Sequence, residues 1–448
     1  MQPFFVKDVL EATSGRLVCG SADTEIKSVS TDSRQLSEDT LFIPLKGESF
    51  DGHDFTGSAR NYISQRQEKP VCGKCIIMVE DTLKAFGAMA ARYRQMYSVP
   101  VVSIVGSVGK TTTRDFTAAV LSQKYKTLKT DKNYNNAIGV PIMLFRLEAE
   151  HEAAVFELGM SAEGEIRYLA DIVRPDTVIM TNIGMSHIEN LGSQENIFKA
   201  KMEALEQLTD KNTVIANGDD KFLRNVSDYG SYKVILYAVD NKDADVRAED
   251  IEDLGLEGSA FTAVFGKTRV RIRLRVPGIH NVYNALAAFA AGLHSGVAPD
   301  EAAAALEKAE LTAMRMEIIR ANGIKIINDC YNSAPDSVNA ALRVLAGEKE
   351  SRRVAVLGDI LELGSFAAAA HTDIGKKTCG KADVLVCVGK NARYIAAGAE
   401  DMKHIYRFDT TEEAAKSLPA IVLPGDTVLL KASRGMHFEK LLEKLTEG

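Results

Sequence analysis

A largely β-branched run, Val101-Val102-Ser103-Ile104-Val105, passes without a break into Gly106-Ser107-Val108-Gly109-Lys110-Thr111-Thr112-Thr113. A buried strand must deliver the chain to a turn tight enough to present several backbone N–H groups at once, and glycine permits that turn. A helix must then start immediately, so the segment demands a parallel α/β sheet with crossover helices. The turn suits a polyphosphate. Gly106, Ser107, Val108, Gly109, Lys110, Thr111 and Thr112 would surround it, with Lys110 on the outer phosphates and the Thr111 hydroxyl on Mg²⁺. Ile104 stands where the commonest phosphate loop carries its first glycine, so the loop is a compact form. ATP or GTP binding is the expectation.

At 448 residues the chain exceeds a single typical core, and three domains are expected. A formal net charge of −7 disfavours wholesale nucleic-acid binding. No basic flank and apolar stretch mark the first fifteen residues as a secretory signal, and no apolar run approaches membrane-spanning length, so a cytoplasmic protein is expected. Six scattered cysteines suit a reducing compartment. Cys72-Gly73-Lys74-Cys75 precedes a strand instead of opening a helix, and no second pair completes a zinc site, so it reads as structural.

The first unit, 1–98, mixes short strands with Asp-, Gly- and Ser-rich loops and closes on a helix over 82–97. Val99-Pro100 reads as the linker. The second, 99–314, places parallel strands at 101–105, 153–156, 177–180 and 213–216, then a small antiparallel addition between 232 and 276, with helices over 281–293 and 299–309. The third, 315–448, repeats the α/β rhythm with strands at 324–327, 354–357, 384–388 and 427–430. Phe366-Ala367-Ala368-Ala369-Ala370-His371 reads as an unusually bland helix for a surface position.

Polar residues at the carboxyl ends of parallel strands face the crevice where ligands bind. Glu157 takes such a position and is suited to holding Mg²⁺; His187 falls in a loop at the same edge. Lys201 is the anomaly. In the helix over 195–208, Ile197, Phe198, Met202, Leu205 and Leu208 form the inward stripe, and Lys201 lies on it, while Glu195, Lys199 and Glu203 make the charged outer face. Burial lowers a lysine pKa, and a neutral amine reacts with CO₂ to give a carbamate, an anion able to bind metal. The alternative is a lysine whose stem snorkels to water.

These residues resemble the Mur ligases, ATP-dependent amide-forming enzymes of peptidoglycan precursor synthesis. The resemblance covers essentially the whole chain. It runs through Asp32-Ser33-Arg34, Leu45-Lys46-Gly47 with Asp51-Gly52-His53-Asp54-Phe55, the compact loop, Asn133-Tyr134-Asn135-Asn136, Glu157-Leu158-Gly159-Met160, Ser186-His187-Ile188-Glu189, Ala200-Lys201, Gly278-Ile279-His280-Asn281, Arg315-Met316-Glu317, Tyr331-Asn332, Leu357-Gly358-Asp359 and Lys431-Ala432-Ser433-Arg434-Gly435. Two departures stand out: Tyr331-Asn332-Ser333-Ala334-Pro335 lacks the second asparagine often found there, and Met314 replaces the glycine usual before Arg315.

The resemblance implies a small N-terminal α/β domain for a UDP-sugar, a central ATPase domain and a Rossmann-like C-terminal domain for the incoming amine. It implies a reaction joining D-alanyl-D-alanine to UDP-N-acetylmuramoyl-tripeptide through an acyl phosphate; a monomer is the expectation, though no residue pattern speaks to oligomeric state. It implies Thr111 and Glu157 on one Mg²⁺, His187 and a carbamylated Lys201 on a second, and Asn136 near the phosphates. Asn281, Arg315 and Asp329 would contact the nucleotide. Asp32, Arg34, Lys46 and Gly47 would surround the UDP-sugar, and Tyr331 and Asn332 would serve substrate. Three rivals remain open: a ligase adding the third amino acid, a folylpolyglutamate synthase, and a nucleotide-dependent switch.

Overall fold

The computed structural model describes residues 1–47 and 49–447. Among them three main sheets follow one another along the chain: five strands between Arg16 and Met78, nine between Val101 and Leu274, and six between Glu317 and Lys431.

The central sheet positions the phosphate loop. Val101–Val105 lies between two parallel neighbours, Ala153–Glu157 and Thr177–Met180. All three strands are wholly buried, which explains their continuous apolar runs. Because they run the same way, Gly106, Glu157 and Thr181-Asn182 emerge at one edge. The Lys110–Leu121 helix starts there and packs back against Ile279–His294.

The addition after Tyr232 differs from the expected antiparallel set. Lys233–Ala238 joins parallel to Thr213–Asn217, and Val246–Asp253 pairs parallel to Lys233–Ala238, so the antiparallel pairing begins only between Val246–Asp253 and Ser259–Phe265 and continues to Thr268–Leu274. The hairpin follows its alternation: Val270, Ile272 and Leu274 are buried, while Arg271 and Arg273 are exposed. The edge strand Thr127–Lys129 and the third-sheet edges Glu317–Ala321 and Ile405–Phe408 were not foreseen. Each is short and only partly buried, so none carries a strong apolar signal.

The helix expected over 82–97 ends at Arg94 and docks the first unit on the second. Tyr93 and Tyr97 both donate to the Leu147 carbonyl, at 2.8 and 2.7 Å, and Arg94 donates to the carbonyls of Val173 and Val99. The alanine-rich segment forms the Ala367–Thr378 helix, but it is not all surface: Ala370 and His371 are buried. His371 Nε2 accepts from the Ile360 N–H at 3.0 Å, and the ring contacts the Ala367 carbonyl through Nδ1 at 2.7 Å.

Candidate functional site

The carboxyl edge of the central sheet opens on a cavity of about 1440 Å³ that also takes walls from the third unit. Ser107 to Thr112, Asn136, Glu157, His187, Asn281, Arg315, Asp329, Tyr331 and Asn332 all line it.

Backbone geometry makes the phosphate loop. Gly106 has φ 150° and Gly109 φ 85°, and a Cβ at these positions would come within 1.9 Å of Thr181 Oγ1 and 2.4 Å of Asn284 Oδ1. Larger residues are therefore excluded by both backbone conformation and space. The Ser107 and Val108 N–H groups donate to Asn182, to its carbonyl at 3.0 Å and its Oδ1 at 3.1 Å. Asn182 thus holds the loop in shape, and the first-turn N–H groups of the following helix face the cavity. Sequence reasoning noted Asn182 only as a strand end.

Glu157 is buried. Its Oε2 accepts from Thr111 Oγ1 and its Oε1 from Asn135 Nδ2, both at 2.9 Å. Thr111 Oγ1 also receives Arg315 Nη2 at 3.2 Å, and the Arg315 guanidinium stacks 4.3 Å above the Tyr331 ring. Asn136 has a more local role than its neighbour: its Oδ1 accepts from Ile138 and Gly139 N–H and shapes the entry to the Gly139–Leu144 helix. Asn135, quoted within the motif but given no role, is the one that reaches Glu157. Asn281 donates to the Pro277 carbonyl and accepts from Asn284, whose Oδ1 in turn accepts from Thr113 beneath Gly109. Asp329 pairs with Lys431 at 2.7 Å and accepts from the Met316 N–H at 3.3 Å, steadying the residue after Arg315.

Lys201 is 2% exposed, so its stem does not snorkel. Its Nζ donates to the Gly106 carbonyl at 3.0 Å, and Lys110 Nζ donates to the same oxygen at 2.9 Å. Burial, and then the neighbouring Lys110, push the Lys201 amine well below the usual lysine range. Burial also lowers Lys110, against the pull of Glu157. The helix of Lys201 runs Gln194–Met202 and tightens into a 3₁₀ turn over Glu203–Leu205. Here the expected charged face needs correcting: Glu203 is buried, its carboxylate accepting from the Gly164 and Arg167 N–H groups at 2.8 and 3.1 Å. The start of the Glu165–Val173 helix packs over this side of the turn, and its otherwise unpaired first-turn N–H groups attract a carboxylate.

His187 lines the cavity but contacts Glu362 of the third unit and not Lys201. Its Nδ1 stands 2.6 Å from Glu362 Oε2, an ion-pair approach whose direction is off the ring's hydrogen-bonding line. Both residues have left-handed backbones, with φ 63° at His187 and 62° at Glu362.

Asp32, Arg34, Lys46 and Gly47 lie elsewhere. They follow the parallel neighbours Ser28–Ser30 and Thr40–Phe42 and do not line the large cavity. Arg34 grips Asp32 through Nε and Nη2 at 2.9 and 2.8 Å and holds its carboxyl down to about 2. The Lys46 and Asp51 backbones pair in an isolated antiparallel β-bridge, and the Gly47 N–H donates to the Phe50 carbonyl at 3.0 Å.

The two departures from the familiar motifs have local accounts. Ala334, where the second asparagine is missing, precedes the Pro335–Gly347 helix, and Ser337 accepts from its N–H at 2.9 Å. Met314 has φ 60°, the conformation that a glycine adopts freely.

Comparison with known proteins shows what the chain is similar to. The sequence matches the Mur ligase family catalytic domain over residues 25–94, the Mur ligase middle domain over 104–292 and the Mur ligase glutamate ligase domain over 314–434. It is 36% identical to the UDP-N-acetylmuramoyl-tripeptide–D-alanyl-D-alanine ligase of Bacillus subtilis, over 99% of this chain and 98% of that one. The chain belongs to the Mur ligase family.

Solved Mur ligase structures agree. MurF from Acinetobacter baumannii superposes with a TM-score of 0.93 at 32% identity, covering 100% of both chains. MurF ligase from Thermotoga maritima, solved in complex with ADP, superposes with a TM-score of 0.84 at 25% identity, over 93% of this chain and 96% of that one. Among the described residues, no helix is long and apolar enough to cross a membrane.

Proposed function

We propose that this Mur ligase joins the terminal carboxylate of UDP-N-acetylmuramoyl-tripeptide to the amine of D-alanyl-D-alanine, consuming ATP, in cytoplasmic peptidoglycan precursor synthesis, and that it works as a monomer. The full-length similarity to ligases of that reaction carries the reading. It takes residues 1–98 for the UDP-sugar, 99–314 for ATP, and 315–448 for the dipeptide with a contact to ATP. A nucleotide switch would leave the buried lysine behind the phosphate loop without a use.

A carboxylate does not react with an amine at neutral pH because its leaving group would be oxide. ATP supplies the remedy: the γ-phosphoryl group passes to the carboxylate, ADP leaves, the amine attacks the acyl carbon, and phosphate departs from the tetrahedral adduct. Lys110 and the first turn of its helix bind and orient the phosphates. Arg315, stacked on Tyr331, adds positive charge from the third domain, and Asn281 and Asp329 support the nucleotide side. Asn136 shapes the phosphate wall. Tyr331 and Asn332 face the dipeptide, and Asp32, Arg34, Lys46 and Gly47 hold the UDP-sugar at the far end. Walls from two domains exclude water from the acyl phosphate.

The residues present fit magnesium. The Thr111 hydroxyl and Glu157 carboxylate already converge at 2.9 Å, as hard oxygen donors. Among the described residues no three of His, Cys, Asp or Glu gather into a ready-made cluster, which suits an ion that takes most of its ligands from phosphate and water. Thr111 and Glu157 would hold one ion, and His187 and a carbamate on Lys201 a second. Bound there, the ions supply neutralisation of the phosphate and carboxylate oxygens that otherwise repel one another. Lys201 fits carbamylation for its own reason: burial beside a second lysine favours the neutral amine, whose lone pair attacks CO₂ with loss of a proton.

Phosphate release with the UDP-tripeptide, measured with and without D-alanyl-D-alanine, tests the reading. Release that depends on the dipeptide is expected; release indifferent to it refutes the assignment.

A further inference from the structure

Two buried charges fasten the linker that leads into the third domain to the phosphate-loop helix. Arg114 and Asp115 sit just after Thr111-Thr112-Thr113 on Lys110–Leu121, and each is 1% exposed. Asp115 Oδ2 accepts from the Thr312 N–H at 2.9 Å and from its hydroxyl at 2.8 Å. Asp115 Oδ1 accepts from Arg114 Nε and Nη2 at 3.1 and 2.7 Å and from Lys129 Nζ at 3.1 Å. Arg114 Nη2 also donates to Thr312 Oγ1 at 2.7 Å, so this one hydroxyl both gives and receives a charge-assisted bond. Arg114 Nη1 donates to the Lys132 carbonyl at 3.0 Å and stands 3.7 Å from Glu157 Oε2.

Burying an ion pair adds little net stability, because desolvation offsets much of the attraction; its best-attested use is to specify register. The register here is particular. Three residues beyond Thr312 on the linker, Arg315 reaches Thr111, which lies four residues before Asp115 on the helix. Linker and helix therefore run antiparallel with two rungs, and fixing one rung fixes the other.

We propose that Arg114, Asp115 and Thr312 form a positioning latch that sets the linker's register on the phosphate-loop helix and so holds Arg315 over Thr111 and the nucleotide phosphates. The proposal rests on the nucleotide reading of the cavity. The latch residues touch no substrate; they act through Arg315. Burial pushes the Asp115 carboxyl up, but Arg114, Lys129 and the bonds from Arg114 and Thr312 outweigh it and keep the group ionised.

The test is a double-mutant cycle on ADP affinity, read by calorimetry on the full chain. Thr312→Val keeps the shape and the backbone bond but removes the hydroxyl, and is expected to weaken ADP about tenfold. Thr312→Ser restores the hydroxyl and is expected to stay within about twofold of wild type. In an Arg315→Ala background, Thr312→Val is expected to cost nothing further, since the residue it positions is gone. Equal losses in both backgrounds, or wild-type affinity in Thr312→Val, overturn the latch. Should Thr312→Val fail to fold, Asp115→Asn replaces it in the same cycle under the same criteria. A wild-type chain that does not bind ADP overturns the nucleotide reading itself, and the latch with it.

Discussion

Lys201→Met is the sharpest perturbation the site offers, because it keeps the stem and most of the volume and removes only the nitrogen. Lys201 and Lys110 both donate to the Gly106 carbonyl, at 3.0 and 2.9 Å. Their nitrogens are therefore about 6 Å apart at most, and two positive charges at that separation repel by about 3 kcal/mol at an effective dielectric constant of ~20. That repulsion favours the neutral amine; carbamylation then introduces an attraction of similar size, about 3 kcal/mol, which a neutral methionine cannot supply. If the anion is what the reacting phosphates and their ions require, Lys201→Met loses about 10²-fold in turnover at about 1.4 kcal/mol per decade. Initial-rate phosphate release measures this, and excess bicarbonate is expected to give no rescue because no amine remains to capture CO₂. In the wild type, labelled bicarbonate is expected to give a carbamate carbonyl resonance that Lys201→Met lacks. Turnover within tenfold of wild type in the variant, or no such resonance in the wild type, refutes the reasoning.

Glu203→Gln loses the charge that two N–H groups at the start of the Glu165–Val173 helix share, and is expected to cost about 1–2 kcal/mol in urea unfolding, with less than 0.3 kcal/mol arguing against a buried role. Burial lowers His280 from an ordinary 6.5 to about 4. The unfolded chain then takes up the proton first, so stability present above pH 6.5 is lost as pH falls towards 4, by about 3 kcal/mol, and His280→Gln is expected to remove that share of the slope. Identical pH profiles in wild type and variant would contradict it. Met314→Gly relieves a left-handed backbone and is expected to change stability by less than about 1 kcal/mol despite the lost side chain, whereas a loss of 2–5 kcal/mol would show that packing dominates there.

The legible parts of the molecule were those written in local pattern. The strand before Gly106, the alternation of Val270, Ile272 and Leu274, and the lysine on an apolar helical stripe each put their chemistry in a short window. Two kinds of feature escaped. Short, half-buried edge strands such as Thr127–Lys129 show too little apolar contrast to stand out. Glu203 escaped because helical period shows only which face lies opposite the apolar stripe, whereas the start of the Glu165–Val173 helix covers that face in the fold. The resemblance named Asn136 and gave its neighbour Asn135 no role; only the fold shows that Asn135 reaches Glu157 while Asn136 Oδ1 turns back to the Ile138 N–H.

Taken alone, the sequence determined the class of sheet, the glycine turn of the phosphate loop and the resemblance to the Mur ligases, because strand periodicity, glycine turns and ordered motifs are properties of neighbouring residues. Tertiary structure decided which charges meet. That Lys201 shares an oxygen with Lys110, that His187 faces Glu362, and that Asp115 grips Thr312 are contacts between residues far apart in the chain. Their consequences depend on burial, which sets the local dielectric and hence which of these groups can afford to stay charged.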